Sequence, residues 1–400
     1  MSTPPGARGE DHLEREVKLE AGLDLALPDL RPLVGTSTRL PERRLETVYF
    51  DTAEMRLFDR GMSLRHRAGE GPSPGTWTLK LPERAGPSAL ERRELSWPGG
   101  PDEVPGEARR LVAAVVRNAN LQAVVELHTL RRPLELRDGA GRVWAELDDD
   151  TVTVRGGPRD GLRFREVEVE LTDGAPGDRP VEGRPGGHVP ERAGDLEAVL
   201  RALEAAGARR HEVSKLATAL GRDGSPAPRP EPGRRAALEA VVRHTLGSGL
   251  DRLLDQDVRI RLEPSRPPVA AVHQARVATR RLRSDLKTFR PALDEVWVRH
   301  VRDELRVVGT ALGRVRDLDV LAETLRAAGE PAVDAVGLRE LLARVDGQRR
   351  AAAEALAERM ADPHYLRLLD RIDAAAQSPP FRSGRAGRTA SRPSRRRPGP

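Results

Sequence analysis

Glu14, Glu16 and Lys18 alternate with Arg15 and Val17 near the start of the chain. In a strand, residues two apart leave from the same face, so two carboxylates and an ammonium would stand side by side. Carboxylate oxygens suit a hard divalent cation, and an ammonium suits a phosphate oxygen. The same parity recurs downstream. Arg65 and Arg67 share a face, as do Thr76, Thr78 and Lys80, and also Glu146 and Asp148. Glu166, Glu168 and Glu170 line one side of a segment whose other side is Val167, Val169 and Leu171. A single charged strand face is ordinarily solvated surface. Several of them, some acid-rich and others base-rich, point to charges that meet inside a tunnel, where a polyanion and its metal ions would balance them.

The basic residues carry a second signal. Of 68, only Lys18, Lys80, Lys215 and Lys287 are lysines. In a chain so biased toward arginine, a retained lysine marks a place where a compact ammonium serves and a planar fork does not.

A different pattern follows toward the C-terminus. His273, Arg276, Arg280, Arg283 and Lys287 fall on one helical stripe, with Arg281 beside it and no acid from Pro264 to Ser284. Ala275, Thr279, Leu282, Leu286 and Phe289 form an apolar stripe for a core. Solvated helix faces mix signs, so a purely basic stripe points to a polyanion, to which His273 adds a phosphate hydrogen bond that strengthens on protonation. Arg299, Arg302 and Arg306 continue the basic line toward Asp317 and Asp319. Those two aspartates either orient the arginines or cap a following helix, and the cap is the expectation for Asp317.

These residues need elements to hold them. Two-residue alternation over Leu13 to Leu171 predicts strands at Leu13–Leu19, Arg44–Phe50, Ser63–Ala68, Thr76–Leu81, Ala89–Trp97, Ala123–Leu136, Val143–Asp149, Thr151–Arg155 and Arg163–Leu171. Turns at Asp138-Gly139 and Gly156-Gly157 join several as hairpins. Leu25–Leu33, Pro105–Asn118 and Leu196–Ala206 read as helices. Beyond a proline-rich spacer at 223–233, helical periodicity marks Arg234–Leu254, Val269–Phe289, Glu295–Leu312, Leu318–Ala328, Gly337–Met360 and Pro363–Ala376. The fold expected is α+β: an antiparallel β-barrel or tunnel over 13–222, then an all-α helical bundle over 234–378. Residues 1–12 and 379–400 read as a disordered leader and an arginine-rich disordered tail.

Composition bounds the function. With no cysteine, thiolate metal sites and cysteine nucleophiles are excluded. No apolar run approaches the roughly 20 residues of a membrane span, and no secretory signal precedes the first strand, so a cytoplasmic location is expected. The sequence pI of 10.3 is set by the tail. Arg382 to Pro400 carries seven arginines and no acid against a chain total of +6, so residues 1–381 carry −1. Nucleic-acid binding through that tail would be non-specific.

The segments EREVK (Glu14–Lys18), YFDT (Tyr49–Thr52), SLRHR (Ser63–Arg67), TWTLK (ending at Lys80), ELDDD (Glu146–Asp150), REVEVEL (Arg165–Leu171) and SK (Ser214–Lys215) resemble, in this order, the CYTH family of triphosphate tunnel metalloenzymes. The resemblance implies an eight-stranded tunnel around a linear triphosphate. Lys18, Arg65, Arg67, Lys80 and Lys215 would grip phosphate oxygens together with either Arg131 or Arg132. Glu14, Glu16, Asp148, Glu166, Glu168 and Glu170 would hold Mg²⁺ or Mn²⁺, with Glu14, Glu16 and Lys18 as the catalytic signature. VHQARVATRRLR and LGRVRDLDVL resemble the CHAD family of helical domains, which implies polyphosphate binding by His273, Arg276, Arg280, Arg281, Arg283 and Lys287. That family has two related helical halves, and a second basic motif is not found in this sequence. A truncation or frameshift is the expectation, ahead of an authentic disordered tail. The sequence therefore predicts a metal-dependent hydrolase of inorganic triphosphate or polyphosphate, associated with polyphosphate granules. Its rivals are a non-catalytic polyphosphate-binding protein and an enzyme acting on an organic triphosphate, such as a class IV-type adenylate cyclase or a thiamine triphosphatase.

Overall fold

In the computed structural model of the chain, the described residues are 10–71, 73–82, 90–172, 193–222, 229–233, 236–329 and 335–382. The elements run β1 (Glu10–Ala21), β2 (Thr36–Arg39), β3 (Arg43–Asp51), β4 (Ser63–Ala68), β5 (Thr76–Leu81), β6 (Leu90–Pro98), α1 (Gly106–Val116), β7 (Gln122–Arg137), β8 (Val143–Arg155), β9 (Arg163–Leu171), α2 (Ala193–Ala205), β10 (Arg209–Arg210) and α3 (Lys215–Leu220). The helices α4 (Leu238–Leu262), α5 (Val269–Phe289), α6 (Glu295–Gly329), α7 (Ala335–Ala361) and α8 (Pro363–Gln377) follow. They form two compact units, one of Met1–Ala108 with Asn120–Pro226, the other of Arg109–Ala119 with Ala227–Pro400.

The first unit is one antiparallel sheet in the order β1-β6-β5-β4-β3-β7-β8-β9, with β2 on β7 and β10 on β1. The order returns to β1 because that strand is twelve residues long and serves two neighbours in succession. Glu10–Glu16 pair with β6 and Glu16–Ala21 with β9, sharing only Glu16. The sheet wraps around its polar face but is not closed into a barrel, so of the barrel or tunnel expected the tunnel describes it and the barrel is corrected.

The alternation explains the two faces. In β5, Trp77, Leu79 and Leu81 are buried on one side while Thr78 and Lys80 leave from the other. Leu19, Trp144, Leu147, Val167 and Val169 bury their apolar face under Val199, Leu200 and Leu203 of α2. Tyr49, Val125, Leu127, Val152 and Val154 do so with Phe58 and with Leu216 and Ala219 of α3.

Leu25–Leu33 is not helical. Pro28 and Pro32 remove donors a helix would need, Leu30 is buried without one, and the Leu25 carbonyl accepts from Arg165 Nη1 at 2.5 Å. The predicted break at Asp150 is absent, since β8 runs unbroken. Glu10–His12 belongs to β1, not to a leader.

The second unit buries Leu246, Leu250, Leu253, Ala275, Leu282, Leu286, Val301, Leu305, Leu312 and Leu369 in one core. Ala114 from the 109–119 segment joins them, and Arg117 of that segment pairs with Asp370 and Asp373. The split predicted between Leu312 and Leu318 is absent, and Asp317 lies inside α6 instead of capping a helix. Gly313 is the weakest helix former there. Its cost of about 1 kcal/mol is outweighed by burial of Leu312 and Val315 on either side. Order also extends past 378, where Phe381 bridges Leu293 and Arg382 donates to the Leu293 carbonyl. No helix among the described residues is long and apolar enough to cross a membrane.

Candidate functional site

The sheet register carries the charged residues into rows. Lys18 of β1 is opposite Glu168 of β9, which is opposite Asp148 of β8. One step along, Glu166 is opposite Asp150, and Asp150 opposite Arg131 of β7. On the facing wall Ser63, Lys80 and Glu94 form a row across β4, β5 and β6, and Arg65 lies beside Thr78. These rows line a cavity of about 250 Å³. Its wall holds six acids (Glu16, Glu70, Glu94, Asp148, Glu168, Glu170) and six bases (Lys18, Arg65, Arg67, Lys80, Arg131, Lys215).

On the acidic side, Lys18 Nζ lies 2.6 Å from Glu168 Oε1 and 2.9 Å from Glu16 Oε1. Arg131 forks onto Asp150, with Nε at 2.9 Å and Nη2 at 2.7 Å, and also pairs with Asp148. Lys215 enters from the first turn of α3, which Ser214 caps by accepting from the Ala217 amide. Its ammonium lies 2.7 Å from Glu168 and 3.1 Å from both Asp150 and Glu166. On the basic side, Lys80 and Arg65 share Glu94 at 3.0 and 3.6 Å. Arg67 Nη1 donates to Glu70 at 3.0 Å and Nε to Thr47 Oγ1 at 3.3 Å.

The electrostatics follow from these partners. Burial pushes Glu168 up, but Lys18, Lys215 and Arg131 together hold it well below the usual carboxylate range. Burial also opposes ionisation of Glu94, yet Lys80 and Arg65 bring it down to about 2. Asp148 goes the other way, to about 7, because burial and the carboxylates of Asp150, Glu146 and Glu168 outweigh Arg131.

Of the residues expected from sequence, Glu16, Lys18, Arg65, Arg67, Lys80, Arg131, Asp148, Glu168, Glu170 and Lys215 reach the cavity wall. Of the two arginines, Arg131 lines the cavity and is 8% exposed. Arg132 points outward, with 36% of its side chain exposed, onto Glu42. Glu166 is buried behind the wall, where Lys215 and His211 take its oxygens. Glu14 sits on β1 opposite Arg92, and its side chain lies outside the described residues.

Glu70, Glu94 and Asp150 were not anticipated. Parity could have found two of them: Glu94 alternates with the buried Leu95 and Trp97, and Asp150 follows Asp148 by two. Glu70 lies between strands, where parity says nothing.

The donor set is oxygen-only on the acidic side, which suits Mg²⁺ or Mn²⁺. Buried Asp148 Oδ1 has no hydrogen-bond partner, and such an oxygen is what a hard cation would satisfy. Among the described residues no three ligands are yet gathered around one point, because the carboxylates are drawn to Lys18, Arg131 and Lys215.

The basic stripe lies in the helical unit. His273, Arg276, Arg280 and Lys287 of α5 are exposed and Arg283 is half-buried. Ala275, Thr279, Leu282 and Leu286 face the core. Arg281 leans toward Asp285 at 4.0 Å. Asp319 pairs with Arg349 of α7, an arginine outside the basic line it was expected to orient.

Two family descriptions match the chain: a CYTH domain over residues 12–179 and a CHAD domain over 244–397. Two Mycobacterium tuberculosis proteins, both described as uncharacterized and from strains CDC 1551 and H37Rv, are 30% identical over 394 residues. The alignment covers 91% of this chain and 70% of each of them. Among solved structures, a Hippeastrum protein described as revealing a dominant triphosphatase activity is 17% identical with a TM-score of 0.34, covering 52% of this chain and 96% of its own. A Pyrococcus horikoshii protein is 18% identical at the same TM-score, covering 52% and 98%.

Proposed function

The chain belongs to the family in which a CYTH domain precedes a CHAD domain, and from that premise we propose that its sheet unit hydrolyses the end of a linear triphosphate or polyphosphate with Mg²⁺ or Mn²⁺, while the helical unit binds polyphosphate. The observation that carries this reading is one cavity wall with six cations and six carboxylates. Phosphoryl transfer to water breaks one P–O–P bond and asks chiefly for in-line placement and neutralised phosphate oxygens.

Lys80, Arg65 and Arg67 from one side, and Lys18, Arg131 and Lys215 from the other, would hold the phosphate chain and orient its terminal group. Glu16, Asp148, Glu168 and Glu170, joined by Glu14 from its position on β1, would hold the divalent ion, which supplies further neutralisation of the oxygens when bound. With its pKa raised to about 7, Asp148 can hold a proton at Oδ1. That weakens the acidic wall's repulsion of an arriving polyanion.

Burial of the charged groups favours the reading over a solvated surface, since desolvated charges this dense are costly unless they exchange partners with a ligand. A binder without turnover would need only the cations. Phosphate release from inorganic triphosphate, long-chain polyphosphate, ATP and thiamine triphosphate, each with Mg²⁺, Mn²⁺ or EDTA, tests the proposal. Metal-dependent release is expected. No release from any of them with either metal would refute hydrolysis, and binding without release would leave the non-catalytic reading.

A further inference from the structure

Glu70 stands apart from the other carboxylates of the cavity. They rise from strands with fixed direction, whereas Glu70 sits just after β4, at the cavity's rim. Its side chain is 43% exposed and meets Arg67, whose side chain is only 12% exposed, at 3.0 Å. Burial pushes its carboxyl up, but Arg67, followed by Arg65 and Arg131, brings it below the usual carboxylate range. The carboxylate thus lies in the field of three arginines that point at the cavity, and it can turn to solvent when displaced.

We propose, resting on the reading of the cavity as a phosphate-chain site, that Glu70 occupies the phosphate position beside Arg67 and selects for ligands long enough to displace it. A ligand confined to the cations of the inner wall leaves the Glu70–Arg67 pair intact. One that extends to Arg67 must break it and then gains the arginine. The pair is partly exposed, so its replacement shifts affinity by about two- to five-fold, the range of a surface ion pair.

Isothermal titration of the full chain in EDTA, with inorganic triphosphate and separately with orthophosphate, measures this without turnover. Glu70→Gln should bind triphosphate about two- to five-fold more tightly and orthophosphate no differently. Glu70→Asp should return toward the wild-type constant, and in an Arg67→Ala background the gain should vanish. A structural defect would weaken binding, so a gain separates the two causes. Unchanged or weaker triphosphate binding by Glu70→Gln overturns the inference, as does an equal gain for orthophosphate, which would mark a general field effect. If neither wild type nor variant binds triphosphate, the reading of the cavity falls and this inference with it. Tight wild-type binding with no Glu70 effect overturns the inference alone.

Discussion

Asp150→Asn tests whether the cavity is held together by its own ion pairs. Asp150 is fully buried, accepts both the Nε and Nη2 of Arg131, and lies 3.1 Å from Lys215 Nζ. Burial works against its charge, yet Lys215 and Arg131 keep its pKa below the ordinary value. Removing one member of a buried pair costs about 3–5 kcal/mol when the partner is left alone. Here Lys215 keeps Glu166 and Glu168, and Arg131 keeps Asp148. The low end applies, about 3 kcal/mol. For a unit of some 200 residues each kcal/mol moves the midpoint by roughly 2–4 °C, so calorimetry should show a loss of roughly 6–12 °C in the transition of the sheet unit. The variant leaves Arg131 and Lys215 with one charge too few opposite them, a deficit that a polyanion makes good. Saturating inorganic triphosphate in EDTA should therefore raise the variant's midpoint more than the wild type's. A variant within about 1 °C of wild type, or equal stabilisation of both by triphosphate, would refute the argument.

Glu16→Gln keeps the size of a buried side chain whose Oε1 lies 2.9 Å from the Lys18 ammonium but removes its charge. Metal-dependent phosphate release should fall at least about 100-fold with an unchanged circular dichroism spectrum; comparable turnover at matched Mg²⁺ would remove Glu16 from the ion's ligands. Glu94 has a folded-state pKa of about 2 against an ordinary 4.5, so its contribution, about 3 kcal/mol at most, is complete above about pH 4.5 and lost as pH falls toward 2. Urea midpoints of Glu94→Gln should accordingly vary less than wild type between pH 5 and 2, and parallel curves would show that Lys80 and Arg65 do not stabilise the native carboxylate. In the helical unit, replacing Arg276, Arg280 and Arg283 by Ala should weaken binding of long-chain polyphosphate to the full chain and flatten its salt dependence by up to about three contacts' worth. An unchanged salt slope in a folded variant would make the α5 stripe an ordinary solvated face.

Where alternation was unbroken the elements could be read to the residue: β4, β5, β9 and α5 begin and end where the pattern does. A single signal misleads elsewhere. The apolar spacing of Leu25, Leu27, Leu30 and Leu33 imitates a helix, but two prolines and the Arg165 hydrogen bonds fix an irregular segment. Dividing β8 at Asp150 cost the parity that would have placed this residue with Asp148. In β7 both faces mix apolar and charged side chains, so Arg131 and Arg132 could not be told apart until pairing with β8 set Arg131 against Asp150. Glu70 depends on where a turn returns the chain, and no local period encodes that.

The balance of the wall changes what kind of recognition the cavity can perform. A chain with pI near 10 invites the idea of a positive funnel for anions, yet this wall carries equal numbers of acids and bases, most of them already within 4 Å of an opposite charge. Long-range attraction is then weak, and affinity comes from exchanging partners at contact distance. An anion of a single phosphate group can take Lys80 or Arg67 but strands Glu94 or Glu70 as uncompensated buried or half-buried charges. A bare cation can take Glu16 and Glu168 but strands Lys18 and Lys215. Only a ligand presenting several anionic oxygens along a line, together with a divalent ion at one end, re-pairs both walls at once. If the cavity takes the ligand proposed above, the charge balance of its wall would work as a filter, opposing simple salts of either sign and favouring a metal-loaded phosphate chain.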